Sequence, residues 1–177
     1  MKLVAVAAAL VMVGASVAQA QEKASGARAS TEGISAVYGI TKSFVLRAAE
    51  QIPEDKFSFQ PTKDVRTVGA LFAHLADANR FFCSQVTAAP NQYSDETEKT
   101  AKTKAELVAA LKAAFAQCDA AYAAINDATL STPVTIFGRQ QNFAAALTMN
   151  AAHNYEHYGN IATYMRILGL VPPSSQQ

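Results

Sequence analysis

The sequence contains three histidines, and two of them, His153 and His157, are four residues apart in a segment with helical periodicity. Residues at positions i and i+4 of a helix lie on one face, about one turn apart. Two imidazoles in that arrangement can bind one metal ion. His74 lies far upstream in a second helical pattern, so a bundle that packs the two helices together can supply a third nitrogen ligand. The sequence therefore predicts a metal site formed by His74, His153 and His157.

Three neutral imidazoles leave at least one coordination position open for water or substrate, as in catalytic zinc sites. An ion held in this way lowers the pKa of a bound water or activates a thiolate. Imidazole nitrogen suits zinc, nickel, copper and iron(II). We expect one divalent ion, with zinc or nickel favoured.

The histidine pair has two other interpretations. His153 and His157 can instead be core or surface histidines that are hydrogen-bonded to carbonyl groups, with no metal. The same spacing occurs in zinc proteases, but these require Glu directly after the first histidine, as in H-E-x-x-H. Asn154 holds that place, and Glu156 directly precedes His157. A metalloprotease is therefore disfavoured.

Two polar residues are candidates for supporting the metal ligands. Asp77 lies about one turn after His74 and can orient its ring as a hydrogen-bond acceptor. The alternative for Asp77 is a solvated carboxylate on the helix surface. Asn150 lies on the inward stripe of the last helical pattern, three residues before His153, where a buried amide needs a partner. Both are predicted to lie near the imidazoles.

Four segments have apolar residues three and four positions apart, as amphipathic helices require. They cover residues 31–51, 64–86, 103–125 and 142–168. Thr103 and Glu106 are in capping-box register, and Gly169 follows the last segment as a C-terminal stop. We expect an all-α four-helix bundle over residues 31–170, with a short extended piece at 133–138 and a disordered tail at 171–177.

The connection over residues 87–101 is long enough to cross the bundle, so the second and third helices are predicted to run parallel. Cys83 and Cys118 then lie at similar heights, within roughly 5 Å along the helix axis. In an antiparallel pair they would be far apart. A structural disulfide is the preferred interpretation of this pair, with two buried thiols as the alternative.

The amino terminus has the pattern of a cleaved secretory signal. Lys2 precedes a short apolar run, and small residues at alternate positions precede the predicted cleavage after Ala20. A retained membrane anchor is the alternative, but the apolar run is short for a membrane span. Residues 21–30 are small and polar and predict a flexible lead. Export places the cysteines in a compartment that permits disulfides.

The charge composition argues against a nucleic-acid partner. The chain has 15 basic and 14 acidic residues, and loss of Lys2 with the signal makes the two numbers equal. No basic stripe interleaved with aromatic residues is present in the sequence. We expect no nucleic-acid partner and no stable membrane span after signal cleavage.

Beyond these patterns, the chain resembles the DinB-like family. The resemblance extends over most of the predicted domain and depends on FSFQP at 57–61, VRTVG at 65–69, HLAD at 74–77 and HNYEHYG at 153–159. It implies an up-down-down-up bundle and a divalent metal held by one histidine of helix two and two of helix four. These positions correspond to His74, His153 and His157. Some relatives are thiol-dependent transferases or isomerases, and family members that pair through helix faces imply a homodimer.

The function predicted from these observations is that of an exported metal-dependent hydrolase or thiol or group transferase acting on a small-molecule substrate. The predicted location is the periplasm or the exterior. The alternative is a non-catalytic metal-binding or stress-related helical binding module. A third interpretation is a helical interaction protein without metal.

Overall fold

A computed structural model describes residues 31–87, 93–126 and 128–176. The predicted signal at 1–20 and lead at 21–30 lie outside the described residues. Helix α1 occupies residues 31–51, as predicted. The further helices are α2 (Val68–Ser84), α3 (Glu96–Thr100), α4 (Lys104–Ala124) and α5 (Phe143–Ile167). Over the described residues, no helix is both long and apolar enough to cross a membrane.

The long helices begin and end at local capping groups. The predicted capping box of α4 is present, with Thr103 accepting from the Glu106 amide and Glu106 accepting from the Thr103 amide. Asn142 caps α5 by accepting from the Ala145 amide at 2.8 Å. Gly169, with φ +75°, then ends this helix at its C-terminus. These signals are local in sequence and fix the element that carries His153 and His157.

Helix α2 begins at Val68, four residues later than the predicted start at Asp64. The amides of Val68 and Gly69 donate to the carbonyls of Phe59 and Phe57, at 2.9 and 2.8 Å. A Cβ at position 69 would lie 3.3 Å from the Phe57 oxygen, so glycine permits this close approach. The incoming segment therefore binds the first amides of α2 and delays the start of the helix.

Contacts between α2 and α4 occur in the same order along both helices. Near their N-termini, the Gly69 backbone lies against Leu107. Further along, Cys83 and Cys118 form a disulfide with a Cα–Cα distance of 5.1 Å, and both residues are fully buried. The preferred interpretation of the cysteine pair is confirmed. The core around this pair contains large side chains with almost no exposed surface, including Phe72, Leu75, Leu111, Phe115, Leu147 and Ile161.

A two-stranded antiparallel hairpin precedes α5. Strand β1 (Pro133–Ile136) pairs with β2 (Arg139–Asn142), and Pro133 lies opposite Asn142. The extended piece at 133–138 was predicted, but its partner strand was not. The turn is formed by Phe137 and Gly138, with φ values of 49° and 75°.

The C-terminal segment differs from the predicted disordered tail. A 3-10 turn covers Pro173–Ser175, and Pro173 is buried. The Ser174 amide donates to the Tyr158 hydroxyl at 2.8 Å. The Gln176 amide group donates to the carbonyl of Val171 at 2.8 Å. The contact with Tyr158 holds the segment against α5, and no local sequence pattern predicts it.

Candidate metal centre

The three histidines converge in the structure. His74 comes from α2, and His153 and His157 come from adjacent turns of α5. The Nε2 atom of His153 lies 3.2 Å from Nε2 of His74 and 3.1 Å from Nε2 of His157. The candidate ligand atoms of all three rings lie within 4.8 Å of one another. The three side chains can therefore hold one metal ion.

A buried amide network fixes α2 against α5 next to this cluster. Asn79 on α2 donates to Asn154 Oδ1 at 2.8 Å and accepts from Asn150 at 2.8 Å. Asn150 also accepts from the Tyr122 hydroxyl of α4 at 3.0 Å. All three asparagines are fully buried. Asn150, predicted to support the metal ligands, joins three helices through this network.

The ring of His74 has a hydrogen-bond partner that sequence reasoning missed. Its Nδ1 atom lies 2.9 Å from the hydroxyl of Tyr93. The Nε2 atom faces the other histidines and needs a free lone pair to bind a metal. Nδ1 therefore carries the ring proton and donates a hydrogen bond to the Tyr93 hydroxyl. Burial and the nearby carboxylate of Asp95 raise the pKa of Tyr93. The contact between His74 and Tyr93 resembles the outer hydrogen bonds that orient metal-binding histidines.

Asp77, predicted to orient His74 or to be solvated, does neither in the described residues. Its side chain is buried and accepts from the amides of Thr97 and Glu98, at 3.0 and 3.2 Å. Arg80 adds a contact of 3.4 Å to the same carboxylate. Asp77 therefore caps the N-terminus of α3, although it belongs to α2.

The electrostatic environment keeps the imidazoles neutral. Burial lowers the pKa of His74 to about 4, and the charge of Arg66 adds to this effect. Burial and repulsion from His157 and His74 lower the pKa of His153 to about 3. Burial also lowers the pKa of His157, although the nearby Glu156 opposes the shift. At neutral pH the three rings therefore offer unprotonated nitrogen atoms, as metal binding requires.

Two of the nitrogen separations suit a small divalent ion. Bonds of about 2.0–2.1 Å in tetrahedral geometry place two nitrogen ligands about 3.4 Å apart. The two short Nε2 separations of 3.2 and 3.1 Å are close to that value. The Nδ1 atoms of His153 and His157 are buried without a hydrogen-bond partner in the described structure. These two rings are therefore held by packing, for example of His153 against Phe82.

The cluster opens into a cavity of about 570 Å³, within the range of small-molecule sites. Its wall combines charged and aromatic side chains with two of the histidines. The lining residues include Arg66, His74, Phe82, Tyr93, Phe137 and His153. A ligand in this cavity can reach the histidine cluster from outside.

The structure is a helical bundle with a cluster of three histidines that can hold a metal ion. The model of the DinB superfamily matches residues 41–161, and the chain belongs to this family. A search of curated proteins finds no match.

Solved structures share the fold. A DinB-like protein from Bacillus cereus ATCC 10987 has a TM-score of 0.68 at 18% identity, covering 80% of this chain and 95% of that one. The DinB-like protein YjoA of Bacillus subtilis has a TM-score of 0.66 at 20% identity, covering 82% and 98%. YfiT of Bacillus subtilis, described as a probable metal-dependent hydrolase with an unusual four-helix bundle topology, has a TM-score of 0.63 at 17% identity, covering 79% and 88%. At these identities the likeness shows the four-helix-bundle fold alone.

Proposed function

We propose that this chain is an exported metal-dependent enzyme, a hydrolase or a thiol or group transferase, that holds one divalent ion through His74, His153 and His157. The convergence of the three ligand nitrogens within 4.8 Å carries the proposal. The adjoining cavity supports an enzyme over the alternative of a non-catalytic binding module, because a substrate can reach the cluster. The description of YfiT as a probable metal-dependent hydrolase agrees with this function.

When bound, a zinc or nickel ion supplies Lewis-acid chemistry at an open coordination position. The protein residues hold and orient the reactants. His74 is oriented by its hydrogen bond to Tyr93. Asp95 and Glu156 are carboxylates that line the cavity, where each can accept a proton from a bound ligand. Phe82 and Phe137 provide an apolar wall that excludes water from one side of the ligand.

The proposal includes export to the periplasm or the exterior. The signal-like pattern of residues 1–20 supports it. The buried disulfide of Cys83 and Cys118 also supports it, since disulfides persist in oxidising compartments. We further infer an up-down-down-up helix order, which the matching order of α2–α4 contacts supports.

Metal analysis of the purified protein tests the site. We expect about one equivalent of zinc or nickel after exposure to the ion and dialysis, and loss of most of it in His74→Ala. Tyr155→Ala is the matched control, because this side chain is 41% exposed on the same helix as two of the histidines. Absence of stoichiometric metal, or full retention by His74→Ala, would contradict the proposal.

Turnover assays test the enzyme. A panel of carboxylic esters, and of electrophiles offered together with a small thiol, is assayed with metal-loaded protein and with His74→Ala. We expect turnover above the rate of the free ion on at least one class, reduced to that background in the variant. A protein that binds metal but turns over none of these substrates would instead be assigned to the binding module.

A further inference from the structure

The cavity beside the histidines has an apolar end. Ala78 and Phe82 follow His74 by four and eight residues, so they continue the same face of α2 toward its C-terminus. Met149 precedes His153 by four residues on α5 and also lines the cavity. With Phe137 from the hairpin, these side chains form an apolar wall on one side of the cluster.

The opposite end carries a positive charge. Arg66 precedes α2, and its carbonyl accepts from the Tyr164 hydroxyl at 3.1 Å. Tyr164 lies seven residues beyond His157 on α5, so Arg66 lies on the side of the histidines away from Phe82. Arg66 is the sole Lys or Arg among the described residues that line this cavity.

The guanidinium of Arg66 retains binding capacity. Its Nε atom lies 3.5 Å from Glu98, a long contact between side chains that are 42% and 31% exposed. Within the described structure this is the one hydrogen bond of its side chain, so both terminal nitrogens remain available. A planar guanidinium with free terminal nitrogens matches a carboxylate in two parallel hydrogen bonds.

Phe137 exposes an aromatic ring at the apolar end. Its side chain is 65% exposed, and its backbone has φ 49°, a region that aromatic residues rarely adopt. The ring stacks on Phe81 with a centroid distance of 5.1 Å and meets Phe82 edge-on at 6.0 Å. A bound apolar group would cover this ring and gain buried area.

We propose that the cavity binds a monoanionic amphiphilic carboxylate, with its carboxylate on Arg66, its aryl or branched alkyl group against Phe82 and Phe137, and its central portion beside the histidines. The proposal rests on the proposed function, because the histidine cluster is where that central portion would react. Asp95 and Glu156 also line the cavity, so a singly charged group is favoured over a dianion such as a phosphate monoester.

Calorimetry with four probes tests the proposal: phenylvalerate, its neutral amide, valerate without the ring, and phenylpentylamine. Each is titrated into metal-loaded and metal-free protein. We expect phenylvalerate to bind about tenfold more tightly than either the amide or valerate. Arg66→Gln should remove the preference for the acid over the amide. Lys63→Gln is its control, since the Lys63 side chain is 91% exposed and outside the cavity lining.

The aromatic end is tested with Phe137→Asn, because asparagine tolerates the left-handed backbone. We expect phenylvalerate and its amide to bind about tenfold more weakly, and valerate to bind as tightly as before. Val171→Asn is the control, as Val171 is 57% exposed and does not line the cavity.

Three outcomes would overturn the inference. One is tightest binding by the amine. Another is a preference for phenylvalerate over its amide that survives Arg66→Gln but disappears on metal removal. That result would show that the carboxylate binds the metal ion and not Arg66. The third is equal affinity for valerate and phenylvalerate. Metal content measured on the same samples separates these failures from a failure of the metal site, because the metal-free titrations still report on Arg66 and Phe137.

Discussion

His74 differs from the other two histidines in the partner of its second ring nitrogen. The Tyr93 hydroxyl lies 2.9 Å from His74 Nδ1, in hydrogen-bond contact. The Nδ1 atoms of His153 and His157 have no such partner in the described structure. The hydrogen bond at His74 Nδ1 is therefore made by a single hydroxyl group, which belongs to a residue outside the helices.

Tyr93→Phe removes this hydroxyl and keeps the ring. We expect the dissociation constant for zinc to rise about 10- to 100-fold, because outer hydrogen bonds fix the ring and raise its basicity. Competition with a chromogenic chelator measures the change. Tyr155→Phe, at an exposed position of α5, should retain the wild-type constant. A wild-type constant in Tyr93→Phe would show that packing alone orients His74.

The lowered pKa values of the histidines predict a pH-dependent stability of the metal-free protein. The folded-state pKa is about 4 for His74 and about 3 for His153, against 6.5 as the ordinary value. Between these limits the unfolded chain binds more protons, so stability falls as the pH falls. We expect a loss of roughly 1–2 kcal/mol per ring between pH 7 and pH 5, after allowing for their partial exposure.

Urea unfolding of metal-free protein at several pH values measures this effect. His153→Phe removes one titrating ring and should flatten the dependence between pH 7 and pH 5. A variant at Asp64, whose side chain is 77% exposed, should leave the slope unchanged and serves as the control. Stability that is constant or rises on acidification over this interval would contradict the neutral cluster.

At the scale of elements, α3 is too short to be stable by itself and is capped by a distant residue. Its own N-cap residue, Asp95, makes no side-chain capping bond, whereas Asp77 of α2 binds the Thr97 and Glu98 amides. The negative charge of this carboxylate also interacts favourably with the positive end of the helix dipole. This contact ties the long connection to the helix that carries His74.

Asp77→Ala should therefore loosen α3. We expect the free energy of unfolding to fall by about 2 kcal/mol, because two amides lose a charged acceptor. Hydrogen exchange at Thr97 and Glu98 should become faster, while exchange within α4 changes less. Asp64→Ala, an exposed carboxylate outside the helices, is the control. Unchanged exchange at both amides would show that Arg80 and packing hold α3 without Asp77.

The elements that sequence reasoning recovered are those with local signals. The capping box at Thr103, the N-cap at Asn142 and the stop at Gly169 lie within a few residues of the helix ends that they define. Sequence reasoning did not predict helix α3, because its cap lies 20 residues away in the sequence. It also did not predict strand β2, because this polar strand has no alternation of apolar residues. Nonlocal contacts of this kind leave no periodic pattern.

In the candidate site, too, the features with local sequence signals could be predicted and those that depend on nonlocal contacts could not. The shared face of His153 and His157 follows from their spacing, and the approach of His74 follows from a correctly inferred bundle. Tyr93 could not be found in this way, since it lies 19 residues from His74 in a connection. Asp77 was placed on the correct helix but assigned the wrong partner, because a helix position does not specify which neighbouring segment covers it.

At the scale of the whole molecule, the disulfide joins α2 to α4, and the amide network joins these two helices to α5. Cys118 on α4 is bridged to Cys83 on α2 and also lies 3.4 Å from the Asn79 carbonyl. Asn79 in turn bonds to the amides of α5. The covalent link therefore adds to a hydrogen-bonded junction that fixes α2 against α5, and its contribution should be global.

The double variant Cys83→Ala and Cys118→Ala tests this contribution. The bridge closes a loop with a sequence separation of 35, for which chain entropy predicts a stabilisation of about 3–4 kcal/mol. We expect a loss of that size in urea unfolding, with the circular dichroism of the folded state retained. Reduced wild-type protein, which keeps both sulfur atoms, separates the effect of the link from that of packing. Because the asparagine junction remains in both, the zinc dissociation constant should change less than in Tyr93→Phe; a larger change would mean that the disulfide itself positions the histidines.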